Sequence, residues 1–170
     1  MGRGFVEYRL PESGRTERVL WSAFIAYRLA DGTELGIPQQ PAWCPACSRF
    51  VIAEELPSIE ELEEEIARYR TGDRNTLQKW AFVSDGSPIA QRIDELLRYV
   101  AWRQGRQSPP RCLECGAVDP IPIPMSGDFA HPRTGERVVV GNSGFADTAP
   151  WCAEFSPEGE YRAISSPEQP

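Results

Sequence analysis

Histidine and lysine are almost missing: the chain has one of each, His131 and Lys79. Any imidazole-based chemistry must therefore rest on His131 alone. No stretch approaches the roughly 20 consecutive apolar residues of a membrane-spanning helix. The opening residues Met1 to Val6 lack the apolar run of a signal peptide, and Val6 stands where a myristoylation motif requires Ser or Thr. Walker loops, GxGxxG and GxSxG are absent, which removes the phosphate-cradling, dinucleotide and nucleophile-elbow signatures. A cytoplasmic chain with no membrane partner is the expectation from these absences.

What is present fits a folded domain. The 170 residues are 41% hydrophobic and 25% charged, while 16 prolines and 14 glycines call for many turns and short strands. One domain over 1–164 is expected, with a tail over 165–170 rich in Ser, Pro, Glu and Gln. The net charge is -7, concentrated in the last third, where nine acidic residues face only Arg133, Arg137 and Arg162. Such a surface repels phosphate backbones and disfavours nonspecific nucleic-acid binding.

Periodicity places the elements. Residues 5–10 alternate as an edge strand, Pro11 to Arg18 reads as a turn, and Val19 to Leu29 reads as one strand covered on both faces. Asp31-Gly32 then turns the chain into Glu34 to Ile37, completing a three-stranded meander, and Ser48 to Ala53 forms another strand. Ser58 and Glu61 make a capping box for a helix with the stripe Ile59, Leu62, Ile66 and Tyr69, ending near Gly72. The acidic run in that helix reads as carboxylates at the positive end of its dipole, with Arg68 and Arg70 at the other end. A short helix is weighed over 75–83. A second long helix opens at Ser87-Pro88, carries Ile89, Ile93, Leu96, Leu97 and Val100, and stops before Ser108-Pro109-Pro110. Alternate prolines make 120–124 an extended edge segment, and hairpins are expected around Pro132 to Gly135 and Ser156 to Gly159.

Four of the five cysteines stand in two matched clips, Cys44-Pro45-Ala46-Cys47 and Cys112-Leu113-Glu114-Cys115-Gly116. Two residues between cysteines let one tight turn present two thiolates, and two such clips complete a tetrahedral zinc shell. One structural Zn2+ per chain on Cys44, Cys47, Cys112 and Cys115 is expected, with iron as the weaker alternative for the same four thiolates. A redox CxxC would open a helix, whereas Ser48 to Ile52 is strand-like. The clips resemble the knuckles of zinc-ribbon and rubredoxin-like proteins over Trp43 to Cys47 and Cys112 to Gly116, a small part of the chain. That resemblance implies a knuckle at each of two hairpin tips. Ser48 replaces the usual glycine after the first clip, and residues 48–111 separate the clips where about 15–20 residues are customary. A two-helix insertion over about 57–106 accounts for the difference. The fold class is therefore α+β, antiparallel hairpins around a four-cysteine ribbon with helices inserted between the knuckles.

The remaining chemistry is thin. His131 reads as a turn residue whose ring caps a hairpin, and Cys152 as a packed structural thiol; together they are the only basis for an enzymatic alternative. Trp102 lies opposite the aliphatic stripe of the second helix, on the face of Arg98. It is either buried under another segment or, with Arg98 and Arg106, an exposed anchor for a partner protein. The expected function is a noncatalytic, zinc-stabilised protein-interaction module, such as an adaptor, an assembly subunit or an immunity-type partner. A nucleic-acid-associated zinc ribbon is the alternative, resting on Arg98, Arg103, Arg106 and Arg111 beside the second clip.

Overall fold

Alternation of Val6, Tyr8 and Leu10 with charged neighbours makes β1 (Arg3–Leu10), whose apolar face is buried. In this computed structural model, residues 3–21, 25–72, 87–146 and 152–163 are described. The chain forms two compact units, one of Met1–Glu55 with Ser108–Pro170 and the other of Leu56–Gln107. The fold class is α+β, with mostly antiparallel strands and, among the described residues, two helices. The expected short helix over 75–83 and the tail over 165–170 lie outside the described residues.

Among the described residues, three sheets build the first unit. β2 (Arg15–Trp21) pairs with β1, and the other side of β1 takes β9 (Arg137–Ala146), which in turn holds β8 (Asp128–Ala130). The second sheet contains β3 (Ile25–Arg28), β4 (Glu34–Gly36), β10 (Ala153–Phe155) and β11 (Tyr161–Ala163), and β10 runs parallel to β3. In the third, β5 (Gln39–Cys44) lies between β6 (Arg49–Glu54) and β7 (Ile121–Pro122). β7 occupies an edge, where its proline costs no ladder bond on the outer side.

Two expectations are corrected here. Val19 to Leu29 is not one strand: β2 begins at Arg15 and ends at Trp21, and β3 belongs to a different sheet. The three-stranded meander is thus two separate hairpins, β1–β2 and β3–β4. Continuous apolar character concealed the change of sheet, because each half alternates by itself, Val19 being buried in β2 and Ile25 and Tyr27 in β3.

The first and third sheets meet in an aromatic core. Tyr8 and Phe50 have ring centroids 5.0 Å apart, Trp43 stands edge-on to Phe50 at 5.4 Å, and Phe129 meets Tyr8 at 5.9 Å. The Tyr8 hydroxyl donates to the Pro124 carbonyl at 3.0 Å, which satisfies its polar end inside the core.

In the inserted unit, α1 (Ile59–Thr71) starts at the capping box. Ser58 Oγ accepts from the Glu61 amide at 3.1 Å, and Glu61 accepts from the Ser58 amide at 2.8 Å. The Ser58 amide and the Ser58 hydroxyl, both donating to the carboxylate, hold the Glu61 carboxyl below its ordinary pKa. Gly72 closes the helix with φ 66°, the left-handed cap that glycine adopts without a Cβ clash. The second helix, α2 (Ser87–Gly105), buries Leu96, Tyr99 and Trp102 but leaves Leu97 42% exposed. Its inner face is therefore turned about 100°, one residue, from the aliphatic stripe. Aromatic rings and arginine stems bury more area than the aliphatics that were counted, and Arg92 on that face pairs with Glu65 of α1 at 3.0 Å.

Candidate metal centre

Each clip occupies the tip of a turn. Cys44 ends β5 and Arg49 begins β6, so the first clip closes the β5–β6 hairpin. Around the second, Arg111 and Val118 form an antiparallel bridge, and the Cys112 amide donates to the Ala117 carbonyl at 2.8 Å. The two turns share one hydrogen-bond pattern. Ser48 N–H donates to the Cys44 carbonyl at 2.8 Å, and Gly116 N–H to the Cys112 carbonyl at 2.9 Å. In the first turn, Cys47 N–H also donates to Cys44 Sγ at 3.4 Å.

Both turns also need a left-handed residue after the second cysteine. Gly116 has φ 74° and Ser48 has φ 53°, so the serine carries a strain that glycine avoids. Its hydroxyl donates to the Pro45 carbonyl at 3.2 Å and accepts from Arg133 at 3.3 Å.

The clips are brought together by β6. Ala53 bridges Cys112, Leu113 N–H donates to the Ile52 carbonyl at 3.1 Å, and Glu54 N–H donates to the Arg111 carbonyl at 2.9 Å. The strand leaving the first clip is thus the strand on which the second is hung. All four Sγ atoms lie within 4.8 Å of one another, with Cys44 to Cys115 at 3.6 Å and Cys47 to Cys112 at 3.9 Å. Four thiolates at the usual zinc–sulfur distance of about 2.3 Å span tetrahedron edges of about 3.8 Å, so the donor set fits a single ion. Four cysteines this close can bind one metal ion.

Burial is graded across the cluster. Cys44 and Cys112 are buried among Ala42, Val51 and Ala53, Cys47 is half-buried, and Cys115 is exposed. Burial pushes the Cys47 thiol up to about 12 and raises that of Cys112 as well. At Cys115 burial again acts upward, but the Ala117 N–H and the neighbouring sulfurs outweigh it and bring the pKa down. Loading a metal here displaces protons, so affinity falls in acid.

The other candidates are not gathered at this centre. Trp102 is 6% exposed and Arg106 is 4% exposed, with the guanidinium 5.2 Å from the indole centroid, while Arg98 is exposed. The three do not form the exposed anchor considered from the sequence: the tryptophan and its arginine are packed, and a packed pair presents no surface for docking. Cys152 is half-buried, and among the described residues no hydrogen bond joins it to His131.

His131 is buried against Trp43 and Phe50, with centroids at 4.3 Å and 5.2 Å, and its Nδ1 accepts the Arg133 and Thr134 amides, each at 3.2 Å. Burial lowers its pKa, with Glu17 and Glu136 pulling upward and Arg15 and Arg133 downward. The folded state therefore prefers the neutral ring. Since the unfolded histidine protonates near pH ~6.5, stability should fall as pH drops from there toward the lower folded pKa. His131→Asn keeps a side-chain acceptor for the turn and removes the titration. Chemical denaturation of both metal-loaded proteins between about pH 5 and 7 should give a flatter profile for the variant; parallel profiles would refute this role.

One residue that the sequence did not single out is Glu54, which is 0% exposed. Its Oε1 accepts from the Tyr27 hydroxyl and its Oε2 from the Arg111 amide, both at 2.8 Å. It joins β3, β6 and the second clip's entry strand, at the point where the chain leaves for the inserted unit and returns from it. No local signal marks it, because a glutamate at a strand end is ordinarily solvated.

Comparison with known protein families, with curated proteins and with solved structures finds no match to this chain. Among the described residues, no helix is long and apolar enough to cross a membrane.

Proposed function

We propose that the chain is a noncatalytic protein-interaction module of a reducing compartment, the cytoplasm, held together by one structural zinc ion on Cys44, Cys47, Cys112 and Cys115. The observation that carries this reading is the closed set of four sulfurs in two turns closed by the same amide-to-carbonyl bond. A four-thiolate shell leaves no open position for water, so zinc there serves the fold and not a reaction. Zinc is the ion proposed here, with iron the alternative, since the four-sulfur set by itself accepts either.

Nucleic acid is the weaker reading. Many arginines of the first unit are matched by carboxylates: Arg15 by Glu17, Arg18 by Glu7, Arg28 by Glu154, Arg49 by Glu114 and Arg137 by Asp128. Paired guanidinium groups have little charge left for phosphates, in keeping with the net charge of -7. The enzymatic reading needs His131 as a base, yet its Nδ1 is already engaged by two backbone amides.

Elemental analysis of protein purified without chelator should return one zinc per chain. Absence of any metal overturns the zinc reading, and iron in its place corrects the ion. The zinc-loaded chain should retain a specific protein from its native host and show no salt-dependent shift with mixed DNA or RNA; the reverse pattern would favour the nucleic-acid alternative.

A further inference from the structure

The stretch from Ala117 to Ser126 carries prolines at positions 120, 122 and 124, one carboxylate at Asp119 and no cation. Val118, Ile121 and Met125, three of the large apolar side chains that stand exposed among the described residues, fall within it, and Pro122 and Pro124 are exposed beside them. Exposed apolar side chains gathered on one segment mark contact surfaces, whereas singly scattered ones do not. What this segment can contact is set by its backbone.

Ile121 faces Trp43 in the β5–β7 ladder, and the Ile123 N–H donates to the Pro41 carbonyl at 3.1 Å. Those two residues turn their polar groups inward, so Pro122 between them turns outward. An outward proline offers a carbonyl and no N–H. The outer edge of β7 therefore accepts hydrogen bonds and donates none, and it cannot take on a further strand, whose ladder needs both. A partner must bring donors for the carbonyl and apolar surface for the proline rings, Ile121 and Met125. Trp N–H and Tyr O–H groups, each borne on an aromatic face, supply the two together. The protein already contains one such contact, for the Tyr8 hydroxyl donates to the Pro124 carbonyl at 3.0 Å.

We infer that residues 118–125 are a docking segment for an aromatic-lined groove on a partner protein, recognised as an extended proline-rich ligand is recognised. This rests on the protein-interaction reading and names the chemistry of the partner. The segment is held in place before it docks. The Arg111–Val118 bridge and the Asp119 N–H on the Pro110 carbonyl at 3.0 Å fix its start, and Tyr8 fixes its end, so binding orders little further chain. Charge narrows the partner further. Glu114 and Asp128 on either side are paired with Arg49 and Arg137, whereas Asp119 is exposed and has no ion pair among the described residues. A groove with a basic rim complements it, and a phosphate-bearing surface does not.

The test uses the full-length metal-loaded chain with its two methionines, Met1 and Met125, replaced by a photoreactive diazirine analogue. Met125→Leu, labelled at Met1 alone, is the control. Each is irradiated in extract of the native host, and cross-linked peptides are identified by mass spectrometry. The competitors are a synthetic peptide of residues 117–126 and the same peptide with its three prolines replaced by alanine. Expected is a cross-link from Met125 to a host protein at a site lined by Tyr or Trp, suppressed by the proline peptide and not by the alanine peptide. Pro122→Ala and Ile121→Ser should each weaken retention of that protein about tenfold, with melting midpoints within about 4 °C of the parent. If either variant melts lower, the peptide competition decides alone. A cross-link to a second copy of this chain, a contact site without Tyr or Trp, equal competition by the two peptides, or a host protein retained without any cross-link from Met125 would each overturn the inference and leave the interaction module standing. A parent chain that retains no host protein overturns both.

Discussion

Stripping the metal from the loaded protein with a chelator is expected to lower its melting midpoint by about 8–16 °C, the shift that about 4 kcal/mol produces in a domain of this size. The figure lies well below the roughly 10–16 kcal/mol of structural zinc in isolated finger peptides. Those peptides have no other core, whereas here the aromatic cluster of Tyr8, Trp43, Phe50 and Phe129 persists without an ion. The β6 ladder to the second clip also remains. Helix signal in circular dichroism should survive, since α1 is capped by its own residues. Cys112→Ser should lose at least as much as chelation, because it removes a ligand that is also packed among Ala42, Val51 and Ala53. Cys152→Ser should stay within about 1 kcal/mol. An unchanged melting curve after verified metal removal would exclude the staple.

Glu54→Ala should cost about 1–3 kcal/mol for each hydrogen-bond partner it removes, a loss comparable with that of the metal, although Glu54 touches none of the expected chemistry. Its side chain is the acceptor for the buried Tyr27 hydroxyl and the part-buried Arg111 amide, both inside the first unit, so truncation removes both bonds and opens a cavity. Glu54→Gln keeps the volume and one acceptor but turns an NH2 toward a donor, for an expected loss of about 1–3 kcal/mol. Tyr27→Phe removes one donor, and a double-mutant cycle with Glu54→Gln should reveal coupling above about 0.5 kcal/mol. Denaturant melts of the single and double variants supply these numbers. Additive losses, or a Glu54→Ala chain as stable as the parent, would show that the carboxyl does not hold β3, β6 and Arg111 together. Glu158 assists there by accepting from Ser108 and Arg111, and it lies in the β10–β11 turn.

Much of the candidate site was legible because its information is local. Two residues between cysteines define a clip wherever the clip sits, and Ser58 with Glu61 defines a helix start from four consecutive residues. Hairpins at 132–135 and 156–159 followed from turn residues, and His131 appears in the first as its cap. The face of α2 was misjudged by one residue because counting aliphatics ignores how Tyr99, Trp102 and the stems of Arg92 and Arg106 bury area.

By itself, the sequence determined the α+β class, the four cysteines that cluster, the insertion of helices between the clips and the turns that present the thiols. Each depends on spacings of a few residues, over which backbone geometry is nearly independent of the rest of the chain. Only the tertiary structure decided that β2 and β3 part into different sheets, that β10 lies parallel to β3, that Glu54 is wholly buried, and that Cys115 is the exposed member of the four-cysteine cluster. These are outcomes of pairing between segments far apart in sequence, where many registers have similar local preference and burial of the whole set selects one.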